Sequence, residues 1–596
     1  MNKKPSDIVL YKKADCHPMV QERYPWLSFK EQVRGMVEKA LKDLGVEPGE
    51  IVLETPPPEK GDLAYPSFQV CKHLKCSPPQ AAQMIKDHIK EEGILIETAG
   101  PYLNFSMDNG AIIKDVVKTI MSMDKEYGTF PSNNTKVIVE HTSANPTDRL
   151  HVGRARNPII GDTIARVMRA AGYEVETQYY VDNVGRQAVT LALGMKYYTP
   201  ESSPPHVSIG PEEWAKLKQE SLGAYQCGTA GVAQFEAICT ERDEMLMHLE
   251  HGEKQVTDMV LKATENILDE RIKPTLERLN IHVDKYVPES NFMEDLDQLI
   301  DKLKASKYCG TSKNGAQYLD LKEFGIDKEF YFLRSDGTSV YATRDIAYHI
   351  WKGKRADKMV NILGEDHRLE SISVSTAIKD VLDIPIDLDV VFYSFVGLPE
   401  GKMSTRKGQV VFIDDLLDEA VGLAKEEVLR RRQDLSEEQV NDIAEAVGIG
   451  AVRYNILRIQ PEKRMVFKWE DALNFEGNSA PFIQYALARC CGIIEKCEEC
   501  KDYDLELLTH ESELLLAKQL SLMPNIILEI TSQKNPQRLP AYAQEVASAL
   551  NQFYRDCPVS QEEQDIKMAR LALVNAAAVV LRNCLELMGI RALEEM

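Results

Sequence analysis

The sequence predicts a multidomain protein of mixed α/β class with an all-α region at its C-terminal end. Strand and helix patterns alternate between residues 136 and 181, which is typical of a parallel β-sheet. From Ile413 onward the apolar residues recur almost wholly at helical spacing. The chain of 596 residues is long enough for about three or four domains, each with its own core.

The composition favours a cytoplasmic protein and argues against general adhesion to nucleic acid. Hydrophobic residues make up 44% and charged residues 28% of the chain, and the formal net charge is −22. We expect no membrane span, because no run of 18 or more uncharged apolar residues occurs, and the N-terminal segment lacks the apolar stretch of a signal peptide. Local basic patches at 430–432 and 458–468 are candidate contacts for nucleic acid, although helix faces balanced by neighbouring acids fit them equally well.

The cysteines predict no metal site. The 12 cysteines are scattered, as in proteins whose thiols stay reduced. Only Cys497 and Cys500 form a C-x-x-C pair, and no second pair lies at zinc-ribbon spacing. We therefore expect no structural zinc.

Residues 1–130 predict a small α/β domain. Apolar residues recur at helical spacing between 29 and 44, and the segment 101–107 alternates so that positions 103, 105 and 107 share one face of a strand. A polar linker at 128–135 closes this domain.

A strand-loop-helix unit then opens a second domain, residues 131–410. The apolar strand at 137–139 leads through a polar loop to the turn His151-Val-Gly-Arg and to a helix predicted over 159–171. Pro158 must lie in or near the first helical turn, because it has no N–H to donate further along the helix. A second strand follows at 174–181, and ligands of parallel sheets gather at the carboxyl ends of the strands.

Charged helices at about 200–280 interrupt the alternation and predict a helical insertion. The sheet is expected to resume near Tyr286 and to include strands at 330–334, 360–363 and 390–396.

The remaining chain predicts a helical connector at 411–470 and a helical bundle at 471–596. The last helix is expected to end at Gly589, a residue suited to a left-handed C-terminal cap.

Two glycine-containing segments suit phosphate binding. The turn at His151 would present backbone N–H groups and a helix N-terminus to an anion, and Gly153 leaves room for it, although an ordinary turn fits a lone His-x-Gly equally well. The segment 398–408, LPEGKMSTRKG, is a cationic loop between a strand and a helix. Such loops close over phosphates and stabilise developing charge.

Together the two segments resemble the HIGH and KMSKS signatures of class I aminoacyl-tRNA synthetases, and nearly the whole chain resembles the arginyl-tRNA synthetases. Five separated blocks carry the resemblance: VEHTSANP from Val139, DNVGRQ from Asp182, RSDGTSVYATRDIA from Arg334, EGNSAPFIQYALAR from Glu476 and the C-terminal segment from Leu587. The resemblance implies a Rossmann-type catalytic core, with residues 1–130 as a tRNA-elbow (D-loop) domain and 471–596 as an α-helical anticodon-binding domain.

The resemblance also implies the reaction. A member of this family is a ligase that activates L-arginine with ATP, accompanied by Mg²⁺, to arginyl-adenylate. It then transfers the arginyl group to the 2′-hydroxyl of the terminal adenosine of tRNA(Arg). We expect a monomeric cytoplasmic enzyme with no membrane partner.

The family positions that surround substrate arginine are occupied here by four residues: Glu140, Asn145, Tyr341 and Asp345. Carboxylates and planar acceptors suit the fixed fork of donors on a guanidinium group. Tyr341 and Asp345 are four residues apart, so at the start of a helix they share one face.

The resemblance assigns the remaining catalytic and ATP-binding positions. The residues at the phosphates and in catalysis are His151, Gly153, Arg154, Lys402, Ser404 and Lys407, with Met403 also at ATP. Gly364, Asp366 and His367, from the sequence GEDH, are expected near the nucleoside.

For tRNA, two groups of residues match the family. Tyr102 and Asn104 match positions that contact the tRNA elbow, although Tyr102 could equally pack on the domain face. At the C-terminal end, the candidates are Tyr542, Phe553, Tyr554, Arg570 and Met596. The three aromatic rings would stack on splayed bases, although burial in the helical core fits each ring equally well. Arg570 and Met596 are expected near them.

The chain departs from the family pattern at Arg154, which replaces the second His of HIGH, at Thr405, which replaces the second Lys of KMSKS, and at Asp148, where many relatives lacking that Lys carry one before HIGH. We hypothesise that Lys407 or Arg149 compensates. Two alternatives stay open at this point: a class I synthetase for another amino acid, and an RNA-binding paralogue without catalysis. A simple nucleotidylyltransferase would not need the helical C-terminal region.

Overall fold

The computed structural model describes residues 23–90, 93–199, 203–221, 223–293, 296–397, 411–474, 476–497, 503–559 and 564–596. The predicted site residues Lys402, Met403, Ser404 and Lys407 lie outside the described residues.

Thirteen strands are described. They are β1 (Leu63–Pro66), β2 (Leu95–Ala99), β3 (Tyr102–Ser106), β4 (Lys136–Glu140), β5 (Glu174–Val181), β6 (Lys285–Pro288), β7 (Cys309–Thr311), β8 (Gln317–Leu319), β9 (Phe330–Leu333), β10 (Lys358–Gly364), β11 (Leu388–Tyr393), β12 (Val396–Gly397) and β13 (Met465–Val466).

The α-helices in the described part of the chain are α1 (Pro25–Asp43), α2 (Cys71–Leu74), α3 (Pro78–His88), α4 (Asn109–Met123), α5 (Arg156–Ala170), α6 (Arg186–Tyr197), α7 (Pro211–Glu220), α8 (Ala224–Gln234), α9 (Glu236–Glu250), α10 (Lys254–Ile267), α11 (Lys273–Arg278), α12 (Leu296–Ala305), α13 (Tyr341–Gly353), α14 (Arg368–Thr376), α15 (Ile413–Arg431), α16 (Glu437–Leu457), α17 (Trp469–Ala472), α18 (Ala480–Glu495), α19 (Glu511–Ser521), α20 (Met523–Gln533), α21 (Arg538–Asp556) and α22 (Gln564–Leu587).

The N-terminal domain contains an antiparallel sheet in the order β1-β3-β2. Leu103 and Phe105 of β3 are fully buried, as the alternation predicts. Asn104 between them is buried as well, so both faces of this central strand are covered.

The central sheet has five parallel strands in the order β11-β10-β4-β5-β6. The chain starts at β4, adds β5 and β6 on one side, and later adds β10 and β11 on the other. The strand order therefore reverses between β4 and β10, and a crevice at the carboxyl ends of these two strands is the expected ligand site. The predicted strands at 174–181 and 360–363 and near Tyr286 are confirmed as members of this sheet.

One predicted strand exists but belongs to a different sheet. Residues 330–334 were expected in the central sheet, but β9 belongs to a separate antiparallel sheet in the order β7-β8-β9. Phe330 and Phe332 are buried while Tyr331 is exposed, the alternation of a sheet with one covered face. Apolar spacing thus predicts the strand but not the sheet to which it belongs.

Helix α5 carries the turn residues into the core. It begins at Arg156, and Pro158 lies in its first turn, as predicted, where a missing N–H is tolerated. Gly161 lets the helix approach the loop after β4, because a β-carbon there would lie 2.3 Å from the β-carbon of His141.

The C-terminal end is helical, as predicted, and Gly589 ends α22 with a φ of +68°. A β-carbon at Gly589 would lie 2.2 Å from Nη2 of the buried Arg453. Arg453 donates to the Met588 carbonyl (2.7 Å) and the Leu279 carbonyl (2.5 Å) and pairs with Asp162 of α5 (2.5 Å). These bonds join the bundle to the central sheet domain.

Two helical stretches, Glu511–Gln533 and Gln564–Leu587, are long and apolar enough to span a membrane. In the described structure 56% and 89% of their apolar windows are buried, and the second is the central helix of the bundle. Core helices of water-soluble bundles have the same properties.

Candidate active site

The His-x-Gly turn lies at the crevice between β4 and β10. His151 is exposed and caps the turn, since its Nδ1 accepts a hydrogen bond from the Gly153 N–H at 2.9 Å. Partial desolvation of the imidazole against the crevice and the positive charge of Arg154 lower the pKa of His151 below its ordinary value. The imidazole is therefore neutral near pH 7, and because Nδ1 accepts, the proton resides on Nε2.

The ends of the predicted cationic loop lie beside this turn. The Val152 N–H donates to the Val411 carbonyl at 3.0 Å, and the Ile413 N–H donates to the Leu150 carbonyl at 2.8 Å. On the other side of the loop, the Val396 carbonyl lies 3.9 Å from where a β-carbon of Gly153 would be. The described residues on both sides of 398–410 therefore lie next to His151.

Helix α5 and strand β10 hold the floor of the crevice together. Asn157, which is buried, accepts from the Thr142 N–H at 2.7 Å and donates to the Ile362 carbonyl at 3.0 Å. Thr142 and Ser143 have positive φ values of 69° and 34°, a costly conformation that packing at functional loops stabilises. The loop after β4 is thereby fixed against β10.

The GEDH segment follows β10 directly. A β-carbon on Gly364 would lie 2.3 Å from Asp366 Oδ1 and 3.3 Å from the Phe395 ring, so a side chain at this position would obstruct the crevice. Asp366 is exposed and His367 is half-buried. A hydrogen bond from His367 to Glu370 raises the pKa of His367, and the Asp366 carboxylate adds to this effect.

A buried polar pocket adjoins the crevice. It is lined by residues of β4, β10, α13 and α14, among them Glu140, Tyr341, Asp345, His349 and Asn361. Three of the four residues predicted to surround arginine thus converge, although Tyr341 and Asp345 follow Glu140 by about 200 residues.

Helix α13 presents one polar stripe to this pocket. Tyr341 begins the helix, and Asp345, His349 and Lys352 follow at spacings of four, four and three residues, so all four lie on one face. Burial alone would raise the pKa of Asp345, but the neighbouring His349 and Lys352 outweigh it and hold the pKa below its ordinary value. The Tyr341 side chain is 38% exposed, but desolvation of its hydroxyl inside the pocket raises its pKa well above the ordinary value, so the hydroxyl keeps its proton as a donor.

Asn145, the fourth predicted arginine residue, lies on the loop between Glu140 and His151. Its Nδ2 donates to Gln187 Oε1 at 2.7 Å. The Tyr179 hydroxyl anchors this loop by donating to the Ala144 carbonyl at 2.6 Å. Asn145 does not line the closed pocket of Glu140 and Asp345.

Sequence reasoning missed two buried polar groups that line this pocket, His349 and Asn361, and a buried lysine behind it. Lys352 donates to Glu140 Oε2 at 2.6 Å and to Asn361 Oδ1 at 3.0 Å, and His349 lies between Asn361 and Asp345. The helical spacing that groups Tyr341 with Asp345 extends to His349 and Lys352, so the same spacing could have predicted both residues. No sequence pattern indicated Asn361.

The described structure contradicts several predicted tRNA contacts. Tyr542 and Phe553 are fully buried, and Arg570 is buried and donates to Glu513 at 2.7 Å. Their prediction as base-stacking or tRNA-contacting groups is wrong, because helical packing leaves no accessible face. Asn104 is also buried, at 4% exposure, so its side chain is unavailable to an elbow of tRNA.

Three predicted tRNA residues keep some accessible surface. Tyr102 packs edge-on against Phe68, which is 49% exposed. Tyr554 is half-buried and lies 4.5 Å from the Arg489 guanidinium. Met596 is half-buried, and its backbone carbonyl accepts from Arg432 at 2.9 Å.

The basic patch at 430–432 is balanced by acids. Arg430 and Arg431 both pair with Glu427, and Arg432 pairs with Asp434 and Glu595. This favours the alternative of a solvated, charge-balanced surface.

A larger cavity, of about 370 Å³, lies away from the crevice between α5 and the C-terminal bundle. Its two arginines already pair within the protein, Arg166 with Asp162 at 2.9 Å and Arg169 with Asp284 at 2.8 Å. The pocket lined by Glu140 and Asp345 is therefore the better candidate for substrate binding.

Family models match three parts of the chain. The model described as "tRNA synthetases class I (R), catalytic domain" matches residues 116–469, "Arginyl tRNA synthetase N terminal domain" matches 29–107, and "DALR anticodon binding domain" matches 483–596. With the parallel sheet and its His-x-Gly turn at the switch point, these matches define a class I aminoacyl-tRNA synthetase.

Curated relatives narrow the class. The chain is 42% identical to an arginine–tRNA ligase of Methanocella arvoryzae over 96% of this chain and 100% of the relative. It is 39% identical to an arginine–tRNA ligase of Methanothermobacter thermautotrophicus over 95% and 99%. The chain therefore belongs to the arginine–tRNA ligase family and is an enzyme that uses ATP to join arginine to tRNA(Arg).

A solved structure agrees in fold. The arginyl-tRNA synthetase of Thermus thermophilus superposes with a TM-score of 0.78 at 26% identity, covering 95% of this chain and 100% of that structure. The predicted class, a parallel-sheet core with a small N-terminal domain and a C-terminal helical bundle, is confirmed.

Proposed function

We propose that Glu140, Tyr341 and Asp345 bind the guanidinium group of substrate arginine and that Asn145 faces its α-amino and carboxylate end. The convergence of a buried and a half-buried carboxylate and a tyrosine hydroxyl on one pocket carries this assignment. A guanidinium satisfies two acceptors in one plane, whereas the ammonium of lysine is a compact charge without that planar fork. Acceptors left unpaired by a wrong amino acid give strong discrimination without editing.

ATP is proposed to lie in the adjoining crevice. His151, Gly153 and Arg154 take its phosphates, Gly364, Asp366 and His367 lie near the nucleoside, and the segment with Lys402, Met403, Ser404 and Lys407 closes over it. The exposed Nε2–H of a neutral His151 and the exposed guanidinium of Arg154 support this, because both donate toward solvent at the crevice.

In the first step the arginine carboxylate attacks the α-phosphate of ATP and pyrophosphate leaves. The protein contributes positioning and electrostatic stabilisation rather than a covalent nucleophile. In the second step the 2′-hydroxyl of the terminal adenosine of tRNA attacks the arginyl carbonyl, and AMP leaves.

Mg²⁺ is proposed to arrive with ATP. No cluster of three or more His, Cys, Asp or Glu side chains suited to a metal occurs among the residues that the structure describes. Mg²⁺ commonly keeps its waters and substrate phosphates as ligands. Bound with ATP, the cation would share the negative charge of the phosphates.

The division of labour among regions is proposed as follows: residues 1–130 contact the tRNA elbow, 131–410 carry both chemical steps, 411–470 connect, and 471–596 bind the anticodon. Tyr102, Tyr554 and Met596 are the remaining tRNA contacts. We further propose a monomer that acts in the cytoplasm without a membrane partner.

Arginine-dependent ATP/pyrophosphate exchange, measured with and without tRNA, tests the proposal. We expect exchange that requires arginine and that bound tRNA stimulates. Exchange driven by another amino acid, or none under either condition, contradicts it.

A smaller proposal concerns the missing second lysine of KMSKS. Arg149 lies 4.0 Å above the Phe412 ring and pairs with Asp415 at 3.1 Å, which supports a role in holding the C-terminal end of the loop. Lys407 is the alternative source of charge. If alanine at Arg149 and alanine at Lys407, each made singly, both leave exchange intact, neither compensates.

A further inference from the structure

A buried lysine lies behind the arginine pocket, beside Glu140. The Lys352 side chain is 0% exposed, and its ammonium contacts two acceptors and one aromatic ring. It donates to Glu140 Oε2 at 2.6 Å and to Asn361 Oδ1 at 3.0 Å, and it lies 4.3 Å from the centre of the Tyr348 ring. Tyr348 in turn stacks on Tyr180. A charge this buried is stable only where every donor is satisfied.

Lys352 determines which way the neighbouring amide and imidazole face. Because the ammonium only donates, Asn361 must turn Oδ1 toward it, and Asn361 Nδ2 then donates to His349 Nε2 at 2.8 Å. His349 must therefore carry its proton on Nδ1, which donates to the backbone carbonyl of Asp345 at 2.9 Å and lies 3.1 Å from Asp345 Oδ1. One buried cation thus orients a chain of hydrogen bonds that ends at Asp345.

The same cation balances charge in the pocket. Three carboxylates line the pocket, those of Glu140, Asp345 and Glu370, and Lys352 returns one positive charge beside Glu140. Glu370 lies 3.3 Å from His367, so even with a charged His367 the pocket keeps a net negative charge that suits a cation. Ser143 donates to Glu140 Oε1 at 3.1 Å, so Glu140 stays an acceptor on both oxygens.

We propose that Lys352 is a positioning and specificity-determining residue: it keeps Glu140 and Asp345 as acceptors and so makes the pocket select a guanidinium over a neutral side chain of the same shape. This inference rests on the proposed binding of arginine by Glu140 and Asp345. Lys352 acts through these residues and does not line the pocket.

Other charged and titratable groups also face this cluster. They are Tyr348, His349 and Asp345 on α13, Glu176 on β5 and His367 after β10. Without Lys352, the Glu140 carboxylate would be buried without a counter-charge, and its neutral acid form would be favoured instead. The acid form presents an O–H donor, which opposes the donors of a guanidinium but donates to the carbonyl of citrulline, the neutral isostere of arginine.

The test is Lys352→Met in the full-length enzyme, with Lys354→Met as matched control, since Lys354 is exposed on the segment just after α13. Arginine KM and kcat are measured by pyrophosphate exchange, and kcat/KM is compared for arginine and citrulline. For Lys352→Met we expect an arginine KM raised about 10-fold, with kcat changed less than about 3-fold. The preference for arginine over citrulline should fall about 10-fold. The control should match wild type.

An arginine KM that does not rise, or that rises with unchanged preference over citrulline, overturns the role of Lys352. If Lys352→Met does not fold, the double variant Glu140→Gln with Lys352→Met removes both buried charges together, and its arginine KM should equal that of Glu140→Gln alone. Additive losses there overturn the inference. Glu140→Gln and Asp345→Asn without effect on arginine KM would instead contradict the assignment of the arginine pocket itself.

Discussion

The arginine pocket and the ATP crevice lie side by side at the ends of β4 and β10, yet they are built in opposite ways. In the pocket, the polar groups of Glu140, Asp345, His349, Asn361 and Lys352 are paired with one another before any ligand arrives. In the crevice, His151, Arg154 and Asp366 are exposed. A buried, paired network holds its geometry and rejects poor fits, whereas exposed groups stay available to phosphates of changing charge. Selection of arginine and stabilisation of the reaction are therefore separable by mutation.

The largest expected effect removes one carboxylate from the pocket. Asp345→Asn should lower kcat/KM for arginine about 10³-fold, since losing one partner of a desolvated charge pair costs about 2–5 kcal/mol. ATP KM should change little. Asp380→Asn, on an exposed carboxylate outside the site, is the control. In thermal denaturation, arginine should stabilise the control but not Asp345→Asn. Equal losses in arginine and ATP KM would show that the two regions are not separable.

A change in the crevice should act on the rate instead. His151→Asn keeps a side-chain acceptor for the Gly153 N–H, so the turn is retained, but it loses the Nε2–H. We expect kcat of exchange to fall about 10²-fold, because a positioned donor to developing charge contributes that much. Arginine KM should stay near wild type. A raised arginine KM with unchanged kcat would reverse the assignment of the two regions.

The pH dependence tests the electrostatics of the crevice. Burial and Arg154 both lower the pKa of His151, so the imidazole stays neutral until the pH falls below the ordinary histidine range. Protonation of Nδ1 would break the bond to Gly153, so activity should fall on the acid side. Arg154→Gln removes one of the two causes, so the acid limb of kcat/KM for ATP should move to higher pH. The pH profile checks this, and a shift to lower pH would exclude the interaction.

The smallest effect concerns the space over the nucleoside. Gly364→Ala would place a β-carbon against Asp366 and 3.3 Å from the Phe395 ring. Asp366 is exposed and can move, so ATP KM should rise only about 3-fold while arginine KM is unchanged. Gly422→Ala, where a β-carbon meets no atom within 4 Å, is the control for ATP KM. No difference between the two variants would mean that ATP does not approach Gly364.

Long-range contacts account for most of what sequence reasoning missed. The strand at 330–334 was predicted, but its place in a separate antiparallel sheet depends on β7 and β8. Tyr542 and Phe553 have the composition of stacking residues, yet neighbouring helices cover them completely. In the sequence, Lys352 is an ordinary charged residue near the end of a helix. In the structure it pairs with Glu140, which lies 212 residues earlier in the chain.

The sequence by itself determined the features that depend on neighbouring residues. The strand at 174–181, the start of α5 around Pro158, the cap at Gly589 and the shared face of Tyr341 and Asp345 all follow from local backbone geometry and spacing. The ordered blocks around His151 and Tyr341 determined the family. Only the tertiary structure decided which strands share a sheet and which aromatic rings are buried. It also decided that a lysine lies behind the arginine pocket, because burial and charge pairing depend on segments brought together from distant parts of the chain.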